Sequence, residues 1–119
     1  MKSKNPKTVL QKKADRLMQE WGRRKYKICL VCGKKHSCLH HYYPKSTSAR
    51  LRYDKDNLIN LCGGCHSSHH WGNPAIHNKI NKVKGEAWLK RLTKKKEGYV
   101  KTNMQYYRDI INDIESWKD

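Results

Sequence analysis

Acidic side chains are scarce in this sequence. Asp and Glu number 10 against 27 Lys and Arg in 119 residues, giving a formal net charge of +17 with histidine neutral. Apolar residues are also few, at 36%, enough for one small core, and a domain of this size often needs a metal or a crosslink to stay folded. No apolar run approaches the ~18 residues of a membrane span. Nothing apolar follows the basic start MKSKNPKTVLQKKADRL, so no secretory signal is expected. Internal repeats and low-complexity blocks are lacking as well. These absences point to a soluble, intracellular, strongly basic chain with no membrane partner, whose natural partner is a polyanion, nucleic acid before others. Charge alone does not establish that contact, because many basic surfaces are only solvated.

Cysteine and histidine are what the sequence has in unusual supply. All 5 Cys and most of the 7 His fall within residues 26–71. Cys29-Leu30-Val31-Cys32 and Cys62-Gly63-Gly64-Cys65 are two C-x2-C pairs separated by 29 residues. Two intervening residues let both thiolates of a pair face one tetrahedral ion, so the four cysteines read as a structural zinc site. Disulfides do not suit an intracellular basic chain, and a redox pair would not be doubled. Cys38, on an expected strand, reads as a small buried hydrophobe, and His36 as the substitute ligand should one cysteine fail.

Around the second pair stand His40-His41 and His66-Ser67-Ser68-His69-His70. On a short helix His66 and His70 share a face, as two ligands of one ion require, although His69 is also within reach. His40 and His41 are strand neighbours and point to opposite sides, so one can bind a metal while the other does different work. A second structural zinc site is the alternative use of these histidines.

The rest of the chain reads as packing elements, a single domain over residues 1–119 in three stretches. Residues 6–21 form an N-terminal helix, with Asn5 as cap, Pro6 in the first position, Gly22 as stop and Leu10, Ala14, Leu17, Met18 and Trp21 as its apolar stripe. Within residues 26–71, positions 38–43 and 57–61 read as short strands joined by a polar loop. Residues 74–117 carry C-terminal helices: one from Asn73-Pro74 to about Val83, one over 86–95, and one opening at Thr102-Asn103-Met104-Gln105, which fits a capping box.

The stretch His40-His41-Tyr42-Tyr43-Pro44-Lys45-Ser46, then Arg50 through Asn57, then Leu61-Cys62-Gly63-Gly64-Cys65-His66, resembles the HNH nucleases with a four-cysteine knuckle. Within them it is most similar to the phage NinG-type recombination proteins, over roughly residues 26–93. The resemblance implies an α+β fold, a ββα-metal finger stapled by zinc, with helices at both ends. It implies that His41 is the general base, that Asn57 orients it, and that His40, His66 and His70 hold one catalytic divalent ion. An all-imidazole set favours Zn²⁺, Ni²⁺ or Mn²⁺, whereas the family often uses Mg²⁺. Lys45, Arg50 and Arg52 fall in the loop between the motif halves, where they would grip DNA phosphates. The implied function is metal-dependent DNA cleavage in phage or prophage recombination or DNA processing, in the cytoplasm of a bacterial host, acting as a homodimer or with other phage proteins. A homing, restriction or terminase-associated nuclease, or a zinc-finger module that binds without cutting, are the other readings.

Overall fold

The computed structural model describes residues 5–35, 37–45 and 47–117, which leaves His36 outside the described residues. Its order is α1 (Pro6–Lys25), β1 (Cys38–His41), two single 3₁₀ turns (Ala49–Leu51 and Lys55–Asn57), β2 (Leu58–Leu61), α2 (Gly63–His70), α3 (Pro74–Lys84), α4 (Glu86–Lys96) and α5 (Met104–Glu115). The class is α+β, with five α-helices and one two-stranded antiparallel sheet among the described residues. No helix among them is long and apolar enough to cross a membrane.

The helix starts follow the side chains that precede them. Asn5 accepts the Lys7 N–H at 2.9 Å to open α1, and Asn73 accepts the Ala75 N–H at 2.9 Å to open α3, each with proline in the first position. At α5 the cap is Asn103, which accepts the Tyr106 N–H at 2.8 Å, and not Thr102 as the capping-box pattern implied. Gly22 does not stop α1. The helix runs on to Lys25 because Gly22 is buried against β1: a Cβ there would overlap Leu39. The glycine is a point of close approach, a role its missing Cβ serves as well as it serves a helix end.

The sheet divides the molecule. Its register pairs Cys38 with Leu61, Leu39 with Asn60, His40 with Ile59 and His41 with Leu58. Because alternate residues face opposite ways, Leu39 and Leu58 enter one core with Ala14, Met18 and Trp21 of α1 and Tyr107, Ile111 and Ile114 of α5. Trp21 meets Trp117 edge-on there, with centroids 4.9 Å apart, a contact worth about 0.5–1.5 kcal/mol beyond the area it buries. Ile59 and Leu61 enter the other core with Cys29, Leu51, Ile80, Trp88 and Leu92. At Leu39 the outward edge of β1 is covered by a side chain: Gln19 of α1 donates to the Leu39 carbonyl at 2.7 Å and accepts the Leu39 N–H at 3.2 Å.

Both strands are shorter than the sequence implied, and Asn57 is the reason. Its side chain accepts the Tyr43 N–H at 2.8 Å and donates to the Tyr43 carbonyl at 3.0 Å, replacing the strand partner that would have extended β1. Pro44 then offers no N–H to continue the ladder. Cys38 also departs from expectation. It is exposed, as the first residue of β1, opposite Leu61 in the register.

Candidate functional site

The first pair of cysteines sits on a tight turn. The Cys29 N–H donates to the Lys34 carbonyl at 2.8 Å, and the Gly33 N–H returns to the Cys29 carbonyl at 3.1 Å. Asn60 of β2 stitches this turn to the sheet: its side chain donates to the Ile28 carbonyl at 2.7 Å and its carbonyl accepts the Leu30 N–H at 2.8 Å. The second pair lies where β2 runs into α2, with Cys62 as the residue before the helix. The four Sγ atoms of Cys29, Cys32, Cys62 and Cys65 all lie within 4.8 Å of one another, compatible with a structural metal such as zinc. Burial pushes the Cys29 thiol up, yet the backbone N–H groups around it outweigh burial and hold it down at about 6. Those of the second turn lower Cys62 too, whereas burial beside the other sulfurs raises Cys65. A site that already favours thiolate at part of its donors suits a divalent cation. Among the described residues no other set of three or more His, Cys, Asp or Glu side chains is gathered so closely.

The histidines separate by strand face. His40 lies on the Ile59 side, where its ring stacks on His66 of α2 with centroids 3.5 Å apart and planes 12° from parallel. Burial, then the neighbouring His66, His41 and His69, lower His40 to about 4, and burial with His70 lowers His66. His70 is exposed, with its ring 6.2 Å from that of His66. His69 packs into the second core. It is 8% exposed, its ring lies 4.5 Å from His77 of α3 and 5.6 Å from Tyr42, and its Nε2 is buried without a hydrogen-bond partner. The donor chemistry of His40, His66 and His70, three imidazoles with the pKa of the first two lowered below the ordinary value, fits a borderline divalent ion. The stacked rings of His40 and His66 do not aim their in-plane lone pairs at one point.

His41 lies on the opposite, Leu58 side of the sheet. Its Nε2 is 2.8 Å from the Arg52 carbonyl. A carbonyl only accepts, so Nε2 carries the proton and Nδ1 keeps a free lone pair. Asn57, fully buried, holds the loop that supplies that carbonyl. Besides Tyr43 it donates to the Leu51 carbonyl at 3.2 Å, one residue before Arg52. Asn57 therefore acts on His41 through the loop and does not touch the ring.

The loop cations fare differently from one another. Arg52, expected to grip phosphate, is committed inward: its Nε and Nη2 donate to the two carboxylate oxygens of Asp15 at 3.1 and 2.6 Å, and the Tyr53 hydroxyl adds a bond at 2.8 Å. The bidentate pair spends two of the five guanidinium N–H donors and sets a carboxylate against its charge, so Arg52 is held toward α1. Arg50 and Lys45 remain exposed. Arg50 shares a surface groove with Arg91, Lys94 and Lys95, and Gly98 leaves room for its guanidinium, which a Cβ there would overlap.

Sequence reasoning missed Asp15, Gln19 and Asn60, each of which serves the site from outside the motif. Asp15 had one visible signal, a lone acid among Lys12, Lys13 and Arg16 in a chain poor in acids. Comparison with family models, with curated proteins and with solved structures finds no match.

Proposed function

We propose that this chain is a metal-dependent endonuclease of the HNH type, which hydrolyses DNA phosphodiester bonds and is stapled by zinc at Cys29, Cys32, Cys62 and Cys65. One observation carries the reading: a histidine whose Nε2–H is fixed by a loop carbonyl, leaving Nδ1 free, stands next in sequence to a histidine packed on the helix that follows the cysteines. In this mechanism His41 Nδ1 takes a proton from water, and the hydroxide so formed bonds to phosphorus as the bond to the leaving oxygen breaks. Burial keeps His41 unprotonated near neutral pH, the state a base needs. His40, His66 and His70 would hold the divalent ion, which supplies charge stabilisation at the phosphate when bound. The net charge of +17 supplies attraction to the DNA backbone. The setting that goes with this reading is phage or prophage recombination in a bacterial cytoplasm, and it rests on the sequence resemblance alone.

A second reading, a zinc-stapled module that binds nucleic acid without cutting it, is favoured by the stacked, non-converging rings of His40 and His66. One experiment separates the two. Purified protein is incubated with single-stranded, duplex and branched DNA across a panel of divalent ions, beside His41→Ala. Metal-dependent cleavage is expected, with the variant binding DNA as tightly at equal salt but cutting at least ~100-fold more slowly, the lower end of a general base's contribution. Binding with no cleavage under any ion would leave the module.

A further inference from the structure

The 4 tryptophans divide sharply by exposure. Trp21, Trp88 and Trp117 are 4%, 4% and 9% exposed, whereas Trp71 is 84% exposed. A bare indole forgoes the stabilisation that burying so large a ring supplies. Its backbone, by contrast, is fixed from both sides. The Trp71 N–H donates to the Ser67 carbonyl at 3.0 Å, the Gly72 N–H to the His69 carbonyl at 3.0 Å, and the Asn73 N–H to the Ser68 carbonyl at 2.9 Å. Gly72 makes the turn with φ 76°, a value that favours glycine, and Asn73 at once caps α3. The Trp71 ring stands across that of His70, with centroids 5.7 Å apart and planes at 80°. A rigid joint between two helices thus holds an aromatic face in water beside the exposed histidine of the candidate site.

We infer that Trp71 is a stacking platform for an unstacked nucleobase, so that the site takes single-stranded or locally opened nucleic acid in preference to continuous duplex. The inference rests on the nuclease reading for the direction from which substrate approaches α2. Charge complementarity selects the occupant: a surface of +17 draws a polyanion, and nucleic acid is the polyanion that carries flat aromatic faces along its length. A base stacks on an aromatic side chain whatever its identity, because every base has a π-face. In a duplex those faces are covered by their neighbours, and exposing one costs unstacking energy. Preference by strand state follows, without preference by sequence.

The protein's own fluorescence provides the test. Trp71 is the exposed tryptophan and dominates the red edge of the emission and its quenching by acrylamide. The zinc-loaded full chain, with no activating ion added, is titrated with oligothymidylate and with a hairpin duplex at equal salt. Oligothymidylate should quench the red-edge emission and shield it from acrylamide, and the duplex should bind with little quenching. Trp71→Ala should weaken single-strand binding by about 5- to 150-fold, equivalent to the ~1–3 kcal/mol of one base–aromatic stack, and leave duplex binding unchanged, with Trp71→Phe recovering most of the loss. Equal quenching by both ligands, equal weakening of both in Trp71→Ala, or no weakening would overturn the inference. Stacking without cleavage under any ion defeats the nuclease reading and leaves the platform. Cleavage of single strand and duplex at rates that Trp71→Ala does not alter defeats the platform and leaves the nuclease.

Discussion

His41 is bound at one nitrogen and open at the other, and its surroundings set when the open one is basic. Burial lowers its pKa most, the bond to the Arg52 carbonyl raises it next, and the smaller effects of the Lys45 and Arg52 charges lower it again, leaving it below the ordinary value. The ordinary imidazole value is about 6.5. A base works unprotonated, so a lowered pKa moves the rising limb of the rate to lower pH. With activating metal saturating throughout, the rise of kcat should be centred below pH ~6.5; a limb centred above that value would contradict the assignment of His41. Asp15 acts on the same nitrogen at one remove, since it clamps the residue whose carbonyl His41 uses. Asp15→Ala should lower the unfolding free energy by about 1–3 kcal/mol, the range for hydrogen bonds to charged groups. It should also slow cleavage while DNA affinity holds or tightens, because Arg52 is released to solvent. Denaturant melts together with binding and single-turnover rates check both halves, and weakened DNA binding would return Arg52 to the surface role first expected of it.

At the scale of elements, α1 and β1 approach closely at Gly22. Alanine favours a helix interior over glycine by about 1 kcal/mol, so on propensity alone Gly22→Ala would stabilise α1. The added methyl would overlap Leu39, whose strand carries His40 and His41, and overpacking of that kind costs about 1–3 kcal/mol. Gly22→Ala should therefore lower the melting temperature, and a rise would show that β1 can retreat at no cost. The same glycine shows where sequence was legible and where it was not. Caps, prolines and apolar stripes act within one turn of chain, so the starts of α1 and α3 and the buried face of α1 could be read directly. What ends β1 is a side chain from fourteen positions along, and what continues α1 past Gly22 is a strand that only the fold brings near. The cysteine cluster was legible because its spacing is itself the geometry. The commitment of Arg52 to Asp15 was not, because it joins residues 37 positions apart.

In the whole molecule a two-stranded sheet stands between the two cores, and the cysteine cluster ties the chain before it to the chain after it. Metal binding in so small a fold is also folding energy, about 10–16 kcal/mol for structural zinc in finger peptides, as large as the total stability of an ordinary domain. Cys62→Ser should lose the metal and melt at a much lower temperature, whereas Cys38→Ser, outside the cluster and exposed, should keep both. Elemental analysis beside thermal melts checks the pair, and folded protein that never contains metal would remove the staple. The Gln19 side chain carries a consequence beyond stability. An open strand edge invites a strand from another molecule, and at Leu39 both outward ladder groups are already taken. Sheet-to-sheet association along β1 would first have to prise away a side chain lying one helical turn beyond Asp15. Fibre-like growth from that edge therefore begins by loosening the helix whose Asp15 clamps the loop that holds His41, and the chain resists both at one residue.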